Sequence, residues 1–394
     1  MTDHLTERVQ EKIFSRPFFI LSFATLCFFC SQSSLIPVLP RHLKALGASS
    51  LVVGLVVGSM VFPAVILRPL VGKQIDRRGR RIFIWIGLVV GTVCSFGYTL
   101  APNIASIFVL RLFHGAAMAC FYPGATTLST DLAPKGRRAA ALSYFSMFLF
   151  AGTALGPAIG EGLYHSNGAK GAFAASGSLA LAGLVVALFI ERTGPLLGSD
   201  PIKMPFLHRA AFFPAIVLSM VAFAEGGAEA FVPLYVTAKG NGDSRIFFTT
   251  LALTIIFARI FVGRIADRYG RPAVIIPGTA LIAVSMYVLA SSASPVTVGI
   301  SAVIFGVGWG LLFPGLFALT MDRVSVNERG SATGTFTAAF DLMFGAGQVT
   351  LGWLLEATNF TTIFVVAGSV ALGATLLFVS GYSRSATRFP AFPE

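Results

Sequence analysis

The chain has 394 residues, of which 55% are hydrophobic and only 12% are charged, and its mean hydropathy is +0.80. Soluble globular proteins carry about 25% charged residues, so this composition excludes a surface that faces water on all sides. Apolar runs of about 20 residues recur, each long enough to cross a hydrocarbon core of about 30 Å. These runs are too long for tilted barrel strands, and we predict an all-α integral membrane protein.

The net charge of +12 does not indicate a nucleic-acid partner. About 21 of the 29 lysines and arginines fall in one set of alternate loops and in the two tails. This asymmetry follows the positive-inside rule and predicts that both termini are cytoplasmic. We therefore expect a multi-pass protein of the plasma membrane. Its partner is the lipid bilayer, and we expect no nucleic-acid partner.

The four cysteines do not indicate a metal or redox centre. Cys27 and Cys30 have the right spacing, but they lie inside an apolar run and no second Cys/His cluster accompanies them. We predict that they pack as small hydrophobic residues, and we expect no metal and no cofactor. No small-residue cleavage site follows the first apolar run, so we interpret that run as a retained helix and not as a signal peptide.

Twelve apolar segments predict twelve transmembrane helices, numbered here as spans 1 to 12. Spans 1 to 6 cover residues 17–38, 50–71, 82–100, 104–130, 139–162 and 169–190. Spans 7 to 12 cover residues 212–237, 246–264, 273–292, 296–320, 331–356 and 360–382. The segment between spans 6 and 7 is rich in Gly, Pro, Ser and charge. The predicted domains are an N-terminal six-helix bundle (1–190), a cytoplasmic linker (191–210) and a C-terminal six-helix bundle (211–394).

One stretch of sequence occurs twice, at an offset of 191 residues. Residues 68–81 read RPLVGKQIDRRGRR, and residues 259–272 read RIFVGRIADRYGRP. The same register pairs Asp131 with Asp322 and Gly156 with Gly347. The chain is therefore a duplicated unit. Because each half has an even number of spans, the two bundles are predicted to be parallel and related by an axis along the membrane normal.

Twelve helices in two parallel halves, with G-x-x-x-D-R-x-G-R between the second and third helices of each, resemble the major facilitator superfamily. Arg111-x-x-x-Gly115 in span 4 resembles the membrane-embedded arginine motif of that family. The resemblance covers nearly the whole chain. It implies the fold of that family and transport by alternating access.

Span 5 contains a glycine-proline motif similar to that of the antiporter branches of the family. It reads GTALGPAIG and comprises Gly152, Gly156, Pro157 and Gly160. The sequence departs from the family pattern at Glu161, where a second terminal glycine is usual. The motif is confined to the first half, as in antiporters. It favours efflux by proton exchange.

The duplicated loop motif is predicted to take part in conformational gating. A carboxylate beside the positive end of a helix can bind there and pair with neighbouring arginines. The resemblance implies that Asp76 docks on the start of span 11 when the cytoplasmic side is closed. The predicted gating residues are Gly72, Asp76, Arg77, Gly79, Arg80, Arg138, Gly263, Asp267, Arg268, Gly270 and Arg271. The alternative is that the arginines only determine topology.

Two more arginines, Arg68 and Arg259, precede the motif in the two halves. They are predicted at the cytoplasmic ends of spans 2 and 8, where snorkelling to the interface and a gating role explain them equally well. Arg111 is different because it lies inside span 4 and should face the central cavity with a partner. His114, one turn further along, can titrate near neutral pH or serve only in helix packing.

The second half supplies intramembrane acids. Asp341 lies near the middle of span 11, and Glu225 and Glu229 are four residues apart on one face of span 7. A carboxyl group removed from water tends to keep its proton and to release it on hydration, which a proton-coupled carrier needs. The alternative for Glu229 is a hydrated cavity rim. Glu161, at the outer end of span 5, is predicted to meet water.

The proton-coupling and substrate residues predicted from the sequence are Asp341, Glu225, Glu229, Arg111, His114 and Gln32. Gln32 and three serines close to it, near the outer end of span 1, are candidate substrate contacts or interhelical hydrogen-bonding groups. The leading hypothesis is a monomeric secondary transporter that exports a small amphipathic organic compound against proton influx. Its partners would be the substrate, protons and lipid.

The alternatives are uptake or facilitated transport of a sugar or organic anion, a membrane enzyme, and a receptor that does not transport. An anion site normally has more than one cationic group in its cavity, and the sequence offers only Arg111 and His114 there. An enzyme would need a nucleophile–base pair, metal-ligand spacing or a phosphate loop, and a receptor would need an added signalling segment. None of these patterns is present in the sequence.

Overall fold

The computed structural model describes residues 13–134, 137–190, 208–240, 243–325 and 328–388. Within them the chain forms thirteen α-helices and one short 3-10 helix at Arg209–Ala211. The α-helices are α1 (Arg16–Ser34), α2 (Val38–Ala45), α3 (Ser50–Gly58), α4 (Val61–Arg78), α5 (Arg80–Leu100), α6 (Ile104–Asp131), α7 (Arg138–Ala187), α8 (Phe212–Lys239), α9 (Arg245–Tyr269), α10 (Pro272–Ala290), α11 (Pro295–Met321), α12 (Arg329–Ala357) and α13 (Phe360–Arg388).

The helices reproduce the predicted spans with two differences. Span 1 corresponds to α1 and is followed by a further helix, α2, whereas span 2 is broken into α3 and α4. Spans 5 and 6 together form α7, which is two helices that meet at Gly168, where φ is 67°. The other spans correspond to single helices. Ten stretches of the described residues are long and apolar enough to cross a membrane; one of them covers both spans of α7, and α9 is not among them. Most of the predicted linker lies outside the described residues.

Helix ends follow the internal repeat. Asn103 before α6 and Ser294 before α11 are 191 residues apart, and both form capping boxes with the residue three positions later. Gly79 and Gly270, also 191 residues apart, end α4 and α9 with φ of 86° and 81°. Their ψ angles are near 160°, a region that is essentially restricted to glycine. The glycine of the repeated loop motif is thus required by the turn.

Two interfaces between the halves lie away from the repeated loops. We call the end with Gly79 and Gly270 the motif end and the other the opposite end. Near the opposite end α3 packs along α12, and α2 packs on α8. A Cβ on Gly54 of α3 would collide with the carbonyl group of Gln348 on α12. Near the motif end, a Cβ on Gly72 or Gly334 would meet nothing within 4 Å. The halves thus pack tightly at the opposite end, with open space around these two motif-end glycines.

The glycine-proline motif packs α7 against α1. A Cβ on Gly152 would lie 2.5 Å from the Leu26 carbonyl oxygen, and one on Gly160 would collide with the Ser34 carbonyl group. The two backbones approach closely because these positions lack side chains. The second half repeats the arrangement, since a Cβ on Gly347 of α12 would collide with the backbone of Phe223 on α8.

Candidate functional site

Arg68 forms an ion pair with Asp341 between the two halves. The Arg68 guanidinium, on α4, donates from Nη1 to Oδ2 of Asp341, on α12. The two side chains are 21% and 17% exposed, so the pair is largely removed from solvent. The sequence predicted Arg68 at the cytoplasmic end of span 2, with snorkelling and a gating role as equal alternatives. The structure instead places it with the acid predicted to carry protons, because α4 continues for ten residues beyond Arg68.

Arg259, the repeat equivalent of Arg68, also reaches the other half. Its guanidinium carbon lies 3.7 Å from the centre of the Phe150 ring on α7. Its Nε is buried and has no hydrogen-bond partner. Tyr122 on α6 interacts electrostatically with both Arg68 and Arg259. We call Arg68, Asp341, Arg259, Phe150 and Tyr122 the inter-half cluster.

A second group of charges joins α8 to α6. Glu225 and Glu229 on α8 interact electrostatically with each other, and Glu229 also interacts with Arg111 on α6. Oε2 of Glu225 is buried without a hydrogen-bond partner. Arg111 is 5% exposed and donates from Nη2 to the Val57 carbonyl oxygen at 2.9 Å. Arg111 therefore has an acid of the other half within electrostatic range.

His114 and the polar end of α1 are engaged mainly in packing. His114 is 1% exposed, and its Nδ1 lies 3.2 Å from the Tyr98 hydroxyl. Ser31 bonds to Ser176 at 3.0 Å, which supports the interhelical alternative for that serine. Gln32 differs from its neighbours because its Nε2 is buried without a partner. Among the described polar side chains at this end of α1, Gln32 therefore keeps an amide group free for a substrate contact, whereas the serines are hydrogen-bonded.

The prediction that Glu161 meets water is wrong. Its side chain is fully buried, with Nη1 of Arg41 at 2.6 Å and the Ser244 hydroxyl at 2.9 Å. Arg41 also donates to Ser244 at 3.2 Å, so the network joins α2 and α7 of the first half to the loop before α9. The reason is that the helical chain continues past the predicted end of span 1 as α2, which places Arg41 against Glu161 near the middle of α7, before the break at Gly168.

The same network brings together residue types that bind metals. Glu161, His165 and Asp243 offer donor atoms within 4.8 Å of one another. Arginines already occupy the two carboxylates, Arg41 on Glu161 and Arg245 on Asp243. Burial tends to raise the pKa of Asp243, but hydrogen bonds from Arg245 outweigh it and hold that pKa below its usual value. Positive charge next to both carboxylates disfavours a second cation, so the network is better explained as ion pairing.

The repeated loops carry a repeated ion pair within each half. Nε of Arg80 lies 2.8 Å from Asp131, and Nε of Arg271 lies 2.9 Å from Asp322. Each pair ties the start of the third helix of its half to the end of the fourth. Arg268 lies over the Tyr269 ring at 5.3 Å. At five predicted gating positions the description covers the course of the helix and not the residue itself. These positions are Asp76, Arg77, Arg138, Gly263 and Asp267.

An apolar depression of about 520 Å³ lies between α9 and α11 and is lined by Leu253, Phe257, Val307 and their neighbours. Among the described side chains that line it, none is ionisable. Such a surface suits lipid tails, and nothing in it would orient a polar compound. Arg68 and Asp341 pair between the halves, and Arg259 and Arg111 each reach a group of the other half, so the candidate site is placed there.

Membrane-length helices in two related halves, with paired charges held between those halves, define a multi-pass membrane transporter. The sequence profile of the Major Facilitator Superfamily matches residues 21–348 and, in a second match, residues 244–393. The chain belongs to this superfamily and is a secondary transporter with a small-molecule substrate, not an enzyme. Both the resemblance noted in the sequence and the predicted fold class are confirmed.

Similar proteins include exporters. The "Staphylopine export protein" of Staphylococcus aureus is 24% identical over 95% of this chain and 98% of its own length. The "Multi-drug resistance efflux pump PmrA homolog" of Lactococcus lactis is 26% identical over 77% of this chain and 79% of its own. Among solved structures, a peptide transporter POT in complex with alafosfalin has a TM-score of 0.80 and 15% identity. The match covers 97% of this chain and 98% of that one. At that identity the likeness concerns the fold.

Proposed function

We propose that this protein exports a small amphipathic organic compound in exchange for protons. The observation that carries the proposal is the set of acids between the halves, Asp341, Glu225 and Glu229. Asp341 is bound by an arginine of the other half, and Glu225 has a buried oxygen without a partner. Their environment must change when the halves separate. Proton binding would then be coupled to the conformation of the transporter.

The ion pair between Arg68 and Asp341 gives this coupling a physical basis. Each partner belongs to a different half, so separating the halves at this level requires the pair to break. A carboxylate without its arginine gains affinity for a proton, whereas the intact pair holds the carboxylate ionised. Protonation of Asp341 and opening at this level would therefore favour each other.

The direction of transport rests on the glycine-proline motif and on the similar proteins. Gly152, Gly156 and Gly160 face α1 along the length of their contact, which is the position of the motif that resembles the antiporter branches. Two of the similar proteins are named as an exporter and an efflux pump. Both observations support export. Neither identifies the compound.

The remaining parts of the proposal concern the whole protein. We propose a plasma-membrane location with both termini cytoplasmic, which the loop charges support. The motif end is then the cytoplasmic end. We also propose that residues 191–210 separate two bundles, 1–190 and 211–394, and that the transporter works as a monomer, since each chain contains both halves of an alternating-access unit.

The test is substrate-dependent proton movement in proteoliposomes. Cationic, zwitterionic and anionic amphipathic compounds are supplied to the native protein, and the internal pH is followed with a dye. We expect at least one class to drive proton flux. Asp341→Asn or Glu225→Gln is expected to reduce this flux at least tenfold, because an amide cannot exchange a proton. Glu356→Gln is the matched control, since Glu356 is an exposed acid at the end of α12.

The outcomes separate the parts of the proposal. Undiminished flux in both variants would remove the assignment of these acids while leaving proton coupling in place. Transport of a compound without any pH change, in the native protein, would contradict exchange with protons. Flux that runs only in the direction of uptake would contradict export and leave the coupling residues as proposed.

A further inference from the structure

We propose that Arg259 binds a carboxylate group of the transported compound. This inference deepens the proposed function and rests on it for the existence of an amphipathic organic substrate. It assigns to that substrate a chemical class, an organic acid or zwitterion with an apolar part.

The repeat relates the two arginine contacts to each other. The offset of 191 residues pairs Arg68 with Arg259, and it pairs Asp341 with Phe150. In the structure Arg68 contacts Asp341, and Arg259 contacts Phe150. The duplicated unit therefore makes the same contact twice, once with a carboxylate and once with an aromatic ring. Arg259 thus faces a ring at the position where its repeat equivalent faces a carboxylate.

The register of this comparison is secure around both acceptor positions. The offset of 191 residues also relates Phe145 to Phe336 and Gly156 to Gly347 on the same pair of helices. Phe145 and Phe336 are both fully buried. Phe150 and Asp341 therefore occupy equivalent positions on α7 and α12.

Arg259 carries a charge that no carboxylate balances. In the described ranges no acid lies within 4.0 Å of its guanidinium, although such partners are found for Arg41, Arg68, Arg80 and Arg271. The Phe150 ring compensates part of this charge through a cation–π contact. A largely desolvated guanidinium is costly to maintain without an ionised partner, so a bound anion would be stabilised here.

None of the described acids near the cluster pairs with Arg259. Asp341 is paired with Arg68, and Glu229 interacts with Arg111. Glu225 interacts with Glu229, its neighbour on the same helix. Among the described residues no acid completes the Arg259 contact, and a ligand carboxylate would fill this place.

The geometry favours a carboxylate attached to an apolar group. A guanidinium offers parallel N–H donors that match the two oxygens of a carboxylate. Within the same cluster, Arg68 already binds a carboxylate through Nη1. Beside Arg259 stands the Phe150 ring, against which an apolar or aromatic part of the ligand can pack. Arg68 and Tyr122 lie near enough to contribute further positive potential and a hydroxyl group.

The test compares carboxylates with uncharged amides of the same skeleton. Purified protein in detergent is titrated with indole-3-acetate, 3-phenylpropionate and N-acetyltryptophan and with their primary amides, and the thermal unfolding midpoint is followed. We expect each acid to bind the native protein more tightly than its amide. Arg259→Gln should weaken acid binding about tenfold to hundredfold and leave amide binding little changed. Arg259→Lys should weaken acid binding to an intermediate degree, because lysine keeps the positive charge but lacks the parallel N–H donors of the guanidinium.

Phe150 provides a second, independent pair of variants. Phe150→Asp gives position 150 the same acid as the equivalent position 341. This acid should form an ion pair with Arg259 and so abolish the preference for carboxylate ligands. Phe150→Leu removes the ring without adding an acid, and the preference should remain. If Phe150→Asp does not fold, the Arg259 variants still decide the question.

Several results would overturn the inference. These are equal binding of acids and amides to the native protein, no binding of any acid, or an acid preference that survives Arg259→Gln. Proton flux driven by ethidium in proteoliposomes, together with any of these results, would reject the carboxylate site and leave proton-coupled export standing. Acid binding that depends on Arg259, with no compound moving protons, would keep the site and reject the proposed coupling.

Discussion

At the scale of single residues, partners across the chain decide what a charged side chain does. Glu161 and Glu356 both lie near the ends of helices in the sequence, yet Glu161 is fully buried beside Arg41 and Glu356 is exposed. A buried ion pair contributes little by itself, but removal of one partner leaves an uncompensated charge. The two residues therefore respond differently to the same substitution.

Glu161→Gln is expected to destabilise the protein because it leaves the Arg41 guanidinium without its carboxylate. Losses of about 3–5 kcal/mol are typical when one member of a buried pair is removed. We expect the smaller end of this range, because Ser244 and the Pro233 carbonyl also accept from Arg41. The measurement is the midpoint of thermal unfolding in detergent, with Glu356→Gln as the control. Equal midpoints for the two variants would show that the buried pair contributes nothing to stability.

At the scale of helices, close backbone contacts hold the α1–α7 and α8–α12 pairs together. The apolar side chains of a membrane helix gain little from burial against a neighbour, since lipid is equally apolar. Close approach through glycine is then a main source of attraction. The motif from Gly152 to Gly160 provides it in the first half, and Gly347 provides it in the second.

Gly160→Ala is expected to destabilise the protein, because the added Cβ would collide with the backbone of Ser34 and not with a movable side chain. Overpacking of this kind costs about 1–3 kcal/mol. Gly334→Ala is the matched control, since a Cβ there meets nothing within 4 Å. Folded yield after fluorescence-detected gel filtration and the unfolding midpoint are the measurements. A Gly160→Ala protein as stable as the Gly334→Ala protein would contradict the tight α1–α7 contact.

At the scale of the whole molecule, the halves are held together at the opposite end by α3 with α12, by α2 with α8, and by the Arg41–Glu161–Ser244 network. Alternating access requires these contacts to separate in the other state. The network and the Arg68–Asp341 pair would then break and re-form in each cycle. Their stability sets the balance between the two states.

A disulfide across this interface should arrest transport. A Cβ on Gly345 would lie 3.2 Å from Cβ of Val61, close to the separation of about 3.5–4.5 Å found in disulfides. In a Val61→Cys, Gly345→Cys double variant, oxidation is expected to stop proton flux and reduction to restore it. Each single variant under the same oxidant is the control. Full activity of the oxidised double variant, with the bond verified by mass spectrometry, would show that α4 and α12 need not separate here.

The sequence predicted the helices and their pairing into halves, because hydropathy and the 191-residue offset are properties of the chain alone. It also predicted the depth of Asp341, Glu225 and Arg111 in their helices. Its prediction that Glu161 meets water was wrong. The family pattern has a glycine at this position, and the departure from it was a signal that Glu161 has a role of its own. It also predicted Arg68 and Arg259 at the cytoplasmic ends of their helices and did not predict their contacts with Asp341 and Phe150. The 191-residue offset relates these two contact positions to each other, and it is visible in the sequence.

The sequence by itself determined the membrane class, the duplicated unit and the superfamily, since these follow from apolar length, charge asymmetry and repeated motifs. Only the tertiary structure decided that Arg68 meets Asp341, that Arg259 meets Phe150, and that Arg41 covers Glu161. The physical reason is that a membrane helix is apolar both toward lipid and toward its neighbours. Its hydrophobic pattern therefore does not reveal which side chains face the other half.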